Sequence, residues 1–582
     1  MLRPTPPFVL LDDARDGGAA ARLYTAPVEI VVAHHPAEVP PALARLRRAG
    51  RAGLHAVGYL TYEAGAAFEP GVTARAAEGP LLWFGLFADY ATIDPQAMLP
   101  DPAGAWIGAL EPEVTPERHA EQFAAVQALI AAGDLYQVNQ TFRAQVPVVG
   151  DPLALYAGLR ARSRAGWGAV VATGDTTILS LSPELFFALE GGRLTARPMK
   201  GTARREGERA ADARAAAALR DDPKQRAENL MIVDLMRNDL SRVARAGSVS
   251  VPELFAVEPY PTVHQMVSTV TAELAEGRDA LDVLAALFPC GSITGAPKIR
   301  AMQAIADIED SARGLYTGAI GRLDANGDAM FNVAIRTLTW PVGGARAVLG
   351  LGSGVVADSV AADEWDECLA KGAFLAGGRA DFDLIETMAF DPVEGLQHLE
   401  AHLARMKASA TALGFRFNRH DARNELQAAT FRLRDARRIR LLLARSGALV
   451  VEVGPRPAPF AQDVPVRVVP LPVSPDDLRL RHKTSARGFY DAARAQAGTA
   501  EVVFEAPDGT LTEGSYTSLF VERGGRLVTP PLAQGLLPGV LRGHLIDSGQ
   551  AEEAVLTRDD LKDGFLLGNA LRGLFRARMV AD

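Results

Sequence analysis

Apolar residues run almost unbroken from Gly53 to Leu60 and again from Leu81 to Phe87, with Pro and Gly breaks on either side. Runs of that length read as buried strands, so residues 1–110 are expected to be strands and turns. From Thr115 the pattern changes. Thr115 caps, Pro116 takes the first helical position and Gly133 stops the run, which predicts a helix over 115–132. Strand-like runs return at 137–148, 177–189 and 192–198. Residues 212–244 read as helix-rich, and 285–308 and 361–376 as helical, with strands at 314–323, 329–339 and 346–351. The mixture predicts an α/β or α+β domain of layered sheets and helices over residues 1–375.

The small-residue run Ala376-Gly377-Gly378-Arg379-Ala380-Asp381 is the best internal boundary and is taken as a linker, 376–381. After it the pattern restarts with a strand at 384–390, a helix at 399–413, strands at 438–443 and 448–453, and more beyond Lys483. Residues 382–582 are therefore expected to form a second, smaller α/β domain. A chain of 582 residues is long enough for two cores.

Composition narrows the partners. The formal net charge is −9 and no long basic run occurs, which argues against a nucleic-acid groove or a polybasic membrane patch and favours small molecules. Two cysteines, Cys290 and Cys368, cannot build a disulfide framework, so a reducing, cytoplasmic setting is expected. Phe8-Val9-Leu10-Leu11 is too short for a signal-peptide core, and no apolar stretch reaches the length of a membrane span. Only seven of the 61 basic residues are lysine: Lys200, Lys224, Lys298, Lys371, Lys407, Lys483 and Lys562. Guanidinium stays charged and is a poor nucleophile, so a chain this rich in arginine marks each lysine as a candidate for amine chemistry.

Two groups of residues suggest a site in the first half. On the 361–376 helix, Glu364, Glu367 and Lys371 recur at i, i+3 and i+7, on one face. They follow Gly350-Leu351-Gly352-Ser353-Gly354, read as a glycine-rich turn whose bare amides could hold a substrate carboxylate. Glu228 edges a run too apolar for an exposed helix face, and a hard cation shared with Glu367 would balance it. Such a face is equally what a solvated, ion-paired helix presents.

The ordered motifs are more specific. Ser182-Pro183-Glu184, Pro198-Met199-Lys200-Gly201-Thr202, Ala227-Glu228-Asn229-Leu230-Met231, Ser292-Ile293-Thr294-Gly295-Ala296-Pro297-Lys298 and Glu364-x-x-Glu367-x-x-x-Lys371 stand in the order found in the chorismate-utilising enzymes, which residues 1–375 resemble. That family includes synthases of anthranilate, aminodeoxychorismate, isochorismate and salicylate. Where its water-adding members have a lysine base this chain has Gln137, so the resemblance implies ammonia as nucleophile. Lys200 stands where anthranilate synthases typically carry alanine and the aminodeoxychorismate synthases lysine, which implies amination at C4 of chorismate. On this resemblance Lys200 is the nucleophile, and Glu184 the general acid and base at the departing hydroxyl. Mg2+ would be held by Glu228 and Glu367 with Glu364 supporting. Tyr316, Arg336, Lys371 and the Gly352 and Gly354 amides would bind the enolpyruvyl end, with Gln137, His264 and Thr294 lining the site. No glutaminase cysteine elbow is present, so ammonia would come from solution or from a glutamine amidotransferase subunit.

In the second half, Ile385-Glu386-Thr387-Met388, the run from His398 to Met406, Arg481-His482-Lys483-Thr484, Leu511-Thr512-Glu513-Gly514 and Gly535 to Arg542 resemble the fold-type IV pyridoxal-phosphate enzymes. The resemblance implies that pyridoxal 5'-phosphate is carried by Lys483, its pyridine nitrogen paired with Glu513 and its phosphate held by Arg405 and the Val540 and Leu541 amides. It leaves room for a homodimer through this half. Ser518 departs from the asparagine usual in the family. Together the halves imply a bifunctional route from chorismate to 4-aminobenzoate, the folate precursor, by C4 amination and pyruvate elimination. Anthranilate synthesis joined to an aminotransferase, a synthase with an inactive C-terminal half, and a non-catalytic chorismate sensor are the competing readings.

Overall fold

The computed structural model describes residues 4–73, 75–260, 263–378 and 382–580. Among them the chain divides into two compact units. The first takes the chain up to Leu99, Ala109–Val148 and Tyr156–Gly378; the second takes Pro100–Gly108, Val149–Leu155 and the chain from Arg379 onward. The division is thus not the single cut expected at 376–381. Residues 379–381 of that segment lie outside the described residues, and Ala373–Gly378 closes the first unit as a 3-10 stretch.

The elements that carry the sites are, in chain order, β1 (Gln137–Gly150), β2 (Met199–Arg204), α1 (Pro223–Ser241), β3 (Arg346–Val355), α2 (Ala361–Gly372), β4 (Leu384–Asp391), α3 (Leu399–Ala412), β5 (Leu511–Gly514) and α4 (Val540–Asp547). The first unit is built on two large antiparallel sheets. Helices Val39–Arg51 and Ala280–Leu287 and α1 share a core with Phe84, Phe186, Phe187 and Phe331. The helix Val39–Arg51 corrects the strand-and-turn expectation for 1–110: prolines at its start were read as breaks, whereas they seed a helix that buries Ala42, Leu43, Leu46 and Ala49. The helix read over 285–308 is also broken, into Ala280–Leu287, a 3-10 turn at Gly291–Ile293 and a helix at Lys298–Ile308.

A second correction bears on chemistry. Gly350 to Gly354 is not a turn but the second half of β3, paired residue by residue with β1. The strand Thr337–Pro341 pairs with β3 only at Val348 and Leu349, so its pairing with β3 does not extend to the glycines.

In the second unit a four-stranded sheet containing β4 buries one core, and a mixed eight-stranded sheet contributes to a second core and to smaller clusters around Tyr490 and Phe520. Trp106, contributed by the early excursion Pro100–Gly108, packs with Phe382, Leu384, Phe415 and Leu441. Gly414 turns at φ 66° against its ring. Among the described residues no helix is long and apolar enough to cross a membrane.

Candidate functional site

In the first unit β1 and β3 align Gly352 with Thr141 and Gly354 with Asn139. The glycine at 354 answers a spatial need: a Cβ there would stand 2.6 Å from Lys200 Nζ and 3.1 Å from Gln137 Nε2. The amine and the amide meet over bare backbone. Gln137 is buried, and neither end of its amide has a hydrogen-bond partner among the described residues. Buried amides are rarely left so, and a ligand group is the natural complement. Asn229 on α1 anchors the Lys200 carbonyl through Nδ2 at 3.3 Å, and accepts from Ser268 Oγ at 2.6 Å.

The two titrating groups are tuned in opposite directions. Burial and the neighbouring Lys371 charge push the Lys200 amine below the ordinary lysine value, against the pull of Glu228, Glu367 and Glu184. Burial pushes Glu184 up to about 7, against the Ser292 hydrogen bond and the charges of Lys200 and Lys371. Ser292 Oγ donates to Glu184 Oε1 at 2.8 Å. A carboxyl near 7 can both give and take a proton at neutral pH, and an amine with lowered proton affinity is a nucleophile.

The three expected metal carboxylates do not assemble as a ligand set: among the described residues no group of three His, Cys, Asp or Glu side chains is disposed to hold a metal. Lys371 Nζ instead ion-pairs with Glu367 at 2.7 Å and donates to the Gly352 carbonyl at 2.8 Å. The donors nevertheless suit magnesium, which needs only one or two protein carboxylates beside water and substrate oxygens. Burial raises Glu228, with Glu367 and Asp358 adding negative charge against Lys200 and Lys224. Glu364 Oε2 is buried without a partner.

Tyr316 packs against β3, where a Cβ on Gly350 would fall 2.0 Å from its Cγ, and its hydroxyl feels the charge of Glu367. Three further expected residues make contacts of their own. Thr294 Oγ1 donates to the Cys290 carbonyl at 2.8 Å, His264 Nε2 pairs with Asp212 at 2.9 Å, and Arg336, at φ 50°, has Tyr260 as its electrostatic neighbour. No described contact ties these three side chains to Lys200, Gln137 or Glu184. Ser292 and Asn229 were overlooked, although both lie inside the quoted motifs.

In the second unit the root of Lys483 is strapped to β4: Ile385 N–H donates to the Lys483 carbonyl at 2.9 Å, and Leu384 bridges Thr484. Burial and the charges of Arg405 and Arg487 push its amine down to about 7, with Glu386 and Glu513 opposing. Glu513, on β5, is buried and accepts from Tyr490 Oη at 3.2 Å; burial pushes it up to about 8. A buried carboxyl raised so far is short of a cationic partner, which fits a protonated pyridine nitrogen. Arg405 Nη1 donates to the Pro538 carbonyl at 3.0 Å, at the approach to α4. That helix has no side-chain cap, which leaves the first-turn amides of Val540 and Leu541 for an anion. Ser518 faces the bare backbone of Gly539, where a Cβ would stand 2.6 Å from its Oγ. These residues fit pyridoxal phosphate.

The chorismate binding enzyme family model matches residues 8–377. The chain belongs to that family. A second model, amino-transferase class IV, matches residues 383–580. Aminodeoxychorismate synthase component 1 of Salmonella typhimurium is 46% identical over 263 residues, 45% of this chain and 58% of that protein. Anthranilate synthase component 1 of Streptomyces coelicolor is 41% identical over 259 residues, 44% of this chain and 50% of that protein. The chain thus spans little more than half the length of such relatives. The crystal structure of anthranilate synthase component I from Streptococcus pneumoniae superposes with a TM-score of 0.54 at 25% identity, covering 65% of this chain and 94% of that one.

One consequence of the Gly354 geometry is testable in this family member. Gly354→Ala would displace Lys200 Nζ, and kcat with chorismate should fall at least about tenfold with the melting temperature little changed. An unaltered kcat would remove the glycine from the site.

Proposed function

We propose that the chain makes 4-aminobenzoate from chorismate in two steps, one in each unit. The observation that carries the reading is the meeting of Lys200 Nζ and the unpaired Gln137 amide over Gly354, within the electrostatic field of Glu184. In the first step the neutral Lys200 amine attacks C2 of chorismate, the double bond shifts, and the C4 hydroxyl leaves with a proton from Glu184. Ammonia then attacks C4 and expels Lys200, with Glu184 taking back a proton. Gln137 cannot deprotonate water, which disfavours hydroxylation. Magnesium, held by Glu228 and Glu367 beside water and substrate oxygens, would neutralise the ring carboxylate. Tyr316, Lys371 and the Gly352 and Gly354 backbone would hold the enolpyruvyl end.

In the second unit pyridoxal phosphate would supply an electron sink for the C4 carbon. Lys483, neutral for much of the time near pH 7, takes the C4 proton and returns one as pyruvate leaves. Glu513 would hold the pyridine nitrogen, while Arg405, Val540 and Leu541 would hold the phosphate. Ammonia would come from solution or a separate glutamine amidotransferase subunit. Purified full-length chain given chorismate, magnesium, pyridoxal phosphate and an ammonium salt at high pH should release 4-aminobenzoate and pyruvate, and glutamine alone should not replace ammonium. The ortho isomer, or no aromatic amine at all, would overturn the reading.

A further inference from the structure

Beside Lys483 lies a hydrogen-bonded trio, Glu386, His402 and Arg405, of which the proposed function uses only one member. Glu386 on β4 and His402 on α3 are each 1% exposed. Glu386 receives three hydrogen bonds: Arg405 Nε to Oε1 at 2.8 Å, Arg405 Nη2 to Oε2 at 2.6 Å, and His402 Nδ1 to Oε2 at 2.6 Å. Burial would raise this carboxyl, but Arg405 and His402 outweigh it and hold it at about 2, so it stays charged. His402 Nε2, at the far side of the ring, is buried without a partner.

The geometry has a direct consequence for Arg405. A guanidinium is planar, and a carboxylate gripping Nε and Nη2 together fixes that plane. The remaining nitrogen, Nη1, is thereby turned to the Pro538 carbonyl at 3.0 Å, two residues before α4 begins. A long side chain without this grip would sample many rotamers and lose entropy on closing over an anion. His402 occupies Oε2 from the other side, which keeps Glu386 from rotating out of the fork.

We infer that Glu386 is a positioning residue for phosphate recognition: it holds Arg405, and only through Arg405 does it act on the cofactor. The inference rests on the reading that this unit takes pyridoxal phosphate. It separates two contributions that a plain brace would not, because phosphate-free pyridoxal can still meet Lys483 and Glu513 but has nothing for Arg405 to hold.

The test titrates cofactor-stripped, full-length wild type and Glu386→Gln with pyridoxal phosphate and with pyridoxal, followed by absorbance. It is run at pH 9, above the Lys483 amine, so that the amine's protonation does not differ between variants. Glu386→Gln should weaken pyridoxal phosphate at least about tenfold and change pyridoxal by no more than about twofold. Adding Arg405→Met to Glu386→Gln should cost no more than Arg405→Met alone. Should the amide variant fail to fold, Glu386→Asp, whose shorter arm cannot reach the whole fork, should show the same split at smaller size. Equal weakening of both compounds, or of neither, overturns the inference. A wild-type chain that takes up neither overturns the cofactor reading itself, and the inference with it.

Discussion

Lys200→Met should abolish amination of chorismate, a fall of at least about a thousandfold, because a residue that bonds covalently to the substrate cannot be bypassed by the groups that merely position it. Three features of the site set this expectation. The amine is held against Gly354 and Gln137, its proton affinity is lowered by burial and by Lys371, and Glu184 stands ready near 7 to protonate the leaving hydroxyl. Methionine keeps the length and apolar stem, so the buried stem packs as before and the fold survives. At a fixed concentration of free ammonia the wild-type rate should be bell-shaped in pH, rising as the Lys200 amine sheds its proton and falling as Glu184 loses the proton that it must deliver to the hydroxyl. The assay follows 4-amino-4-deoxychorismate by chromatography, with circular dichroism as a fold control. Undiminished synthesis in Lys200→Met would strip the amine of its role and leave ammonia attacking chorismate directly.

What the sequence made legible and what it hid divide along physical lines. Motif residues proposed to act by their own chemistry were visible in the chain: Glu184 and Glu513 are buried, Lys200 and Lys483 half-buried, and the proton affinity of all four is shifted. Scarcity of lysine pointed at real positions, since Lys298 too is buried, on Asp239 at 2.6 Å, yet that one is a satisfied ion pair. It could not separate a reagent from a brace, because both need a buried amine. Periodicity failed where tertiary pairing decides. Gly350 to Gly354 reads as a turn by composition, but ten consecutive β1 partners hold β3 extended through it. Residues that act by holding another, such as Ser292 on Glu184 or Glu386 on Arg405, carry no signal of their own, since a serine or glutamate is ordinary until its partner is known. The excursion Pro100–Gly108 was invisible for a related reason: nothing local marks Trp106 as part of a core formed with residues about 280 positions and more away.

Lys483→Met should leave the first step intact and stop the second, so that 4-amino-4-deoxychorismate accumulates while neither pyruvate nor 4-aminobenzoate forms. The groups that act most strongly on Glu513 besides Lys483 are Tyr490, Arg487 and the Leu537 backbone, none of which can replace an amine, since a guanidinium does not give up its proton. The loss should reach at least about a thousandfold in pyruvate release, and the absorbance of bound pyridoxal phosphate should vanish with it. The same substitution makes a prediction about stability in the cofactor-free chain, with opposite sign. Burial sets the folded-state value of Lys483 at about 7, against 10.5 for an ordinary lysine. The unfolded chain therefore binds the extra proton more readily, and wild-type stability must rise with pH across that interval. Below it the amine is charged in both states and the full burial penalty is felt; above it the penalty is gone. Lys483→Met, which carries no charge, should melt higher than wild type at pH 6 and lose that advantage by pH 10.5. Thermal unfolding of the two apo chains along that range decides the matter: a constant difference in melting temperature would mean that Lys483 is not titrating in the interior, and the amine could not then serve as the proton carrier of the second step.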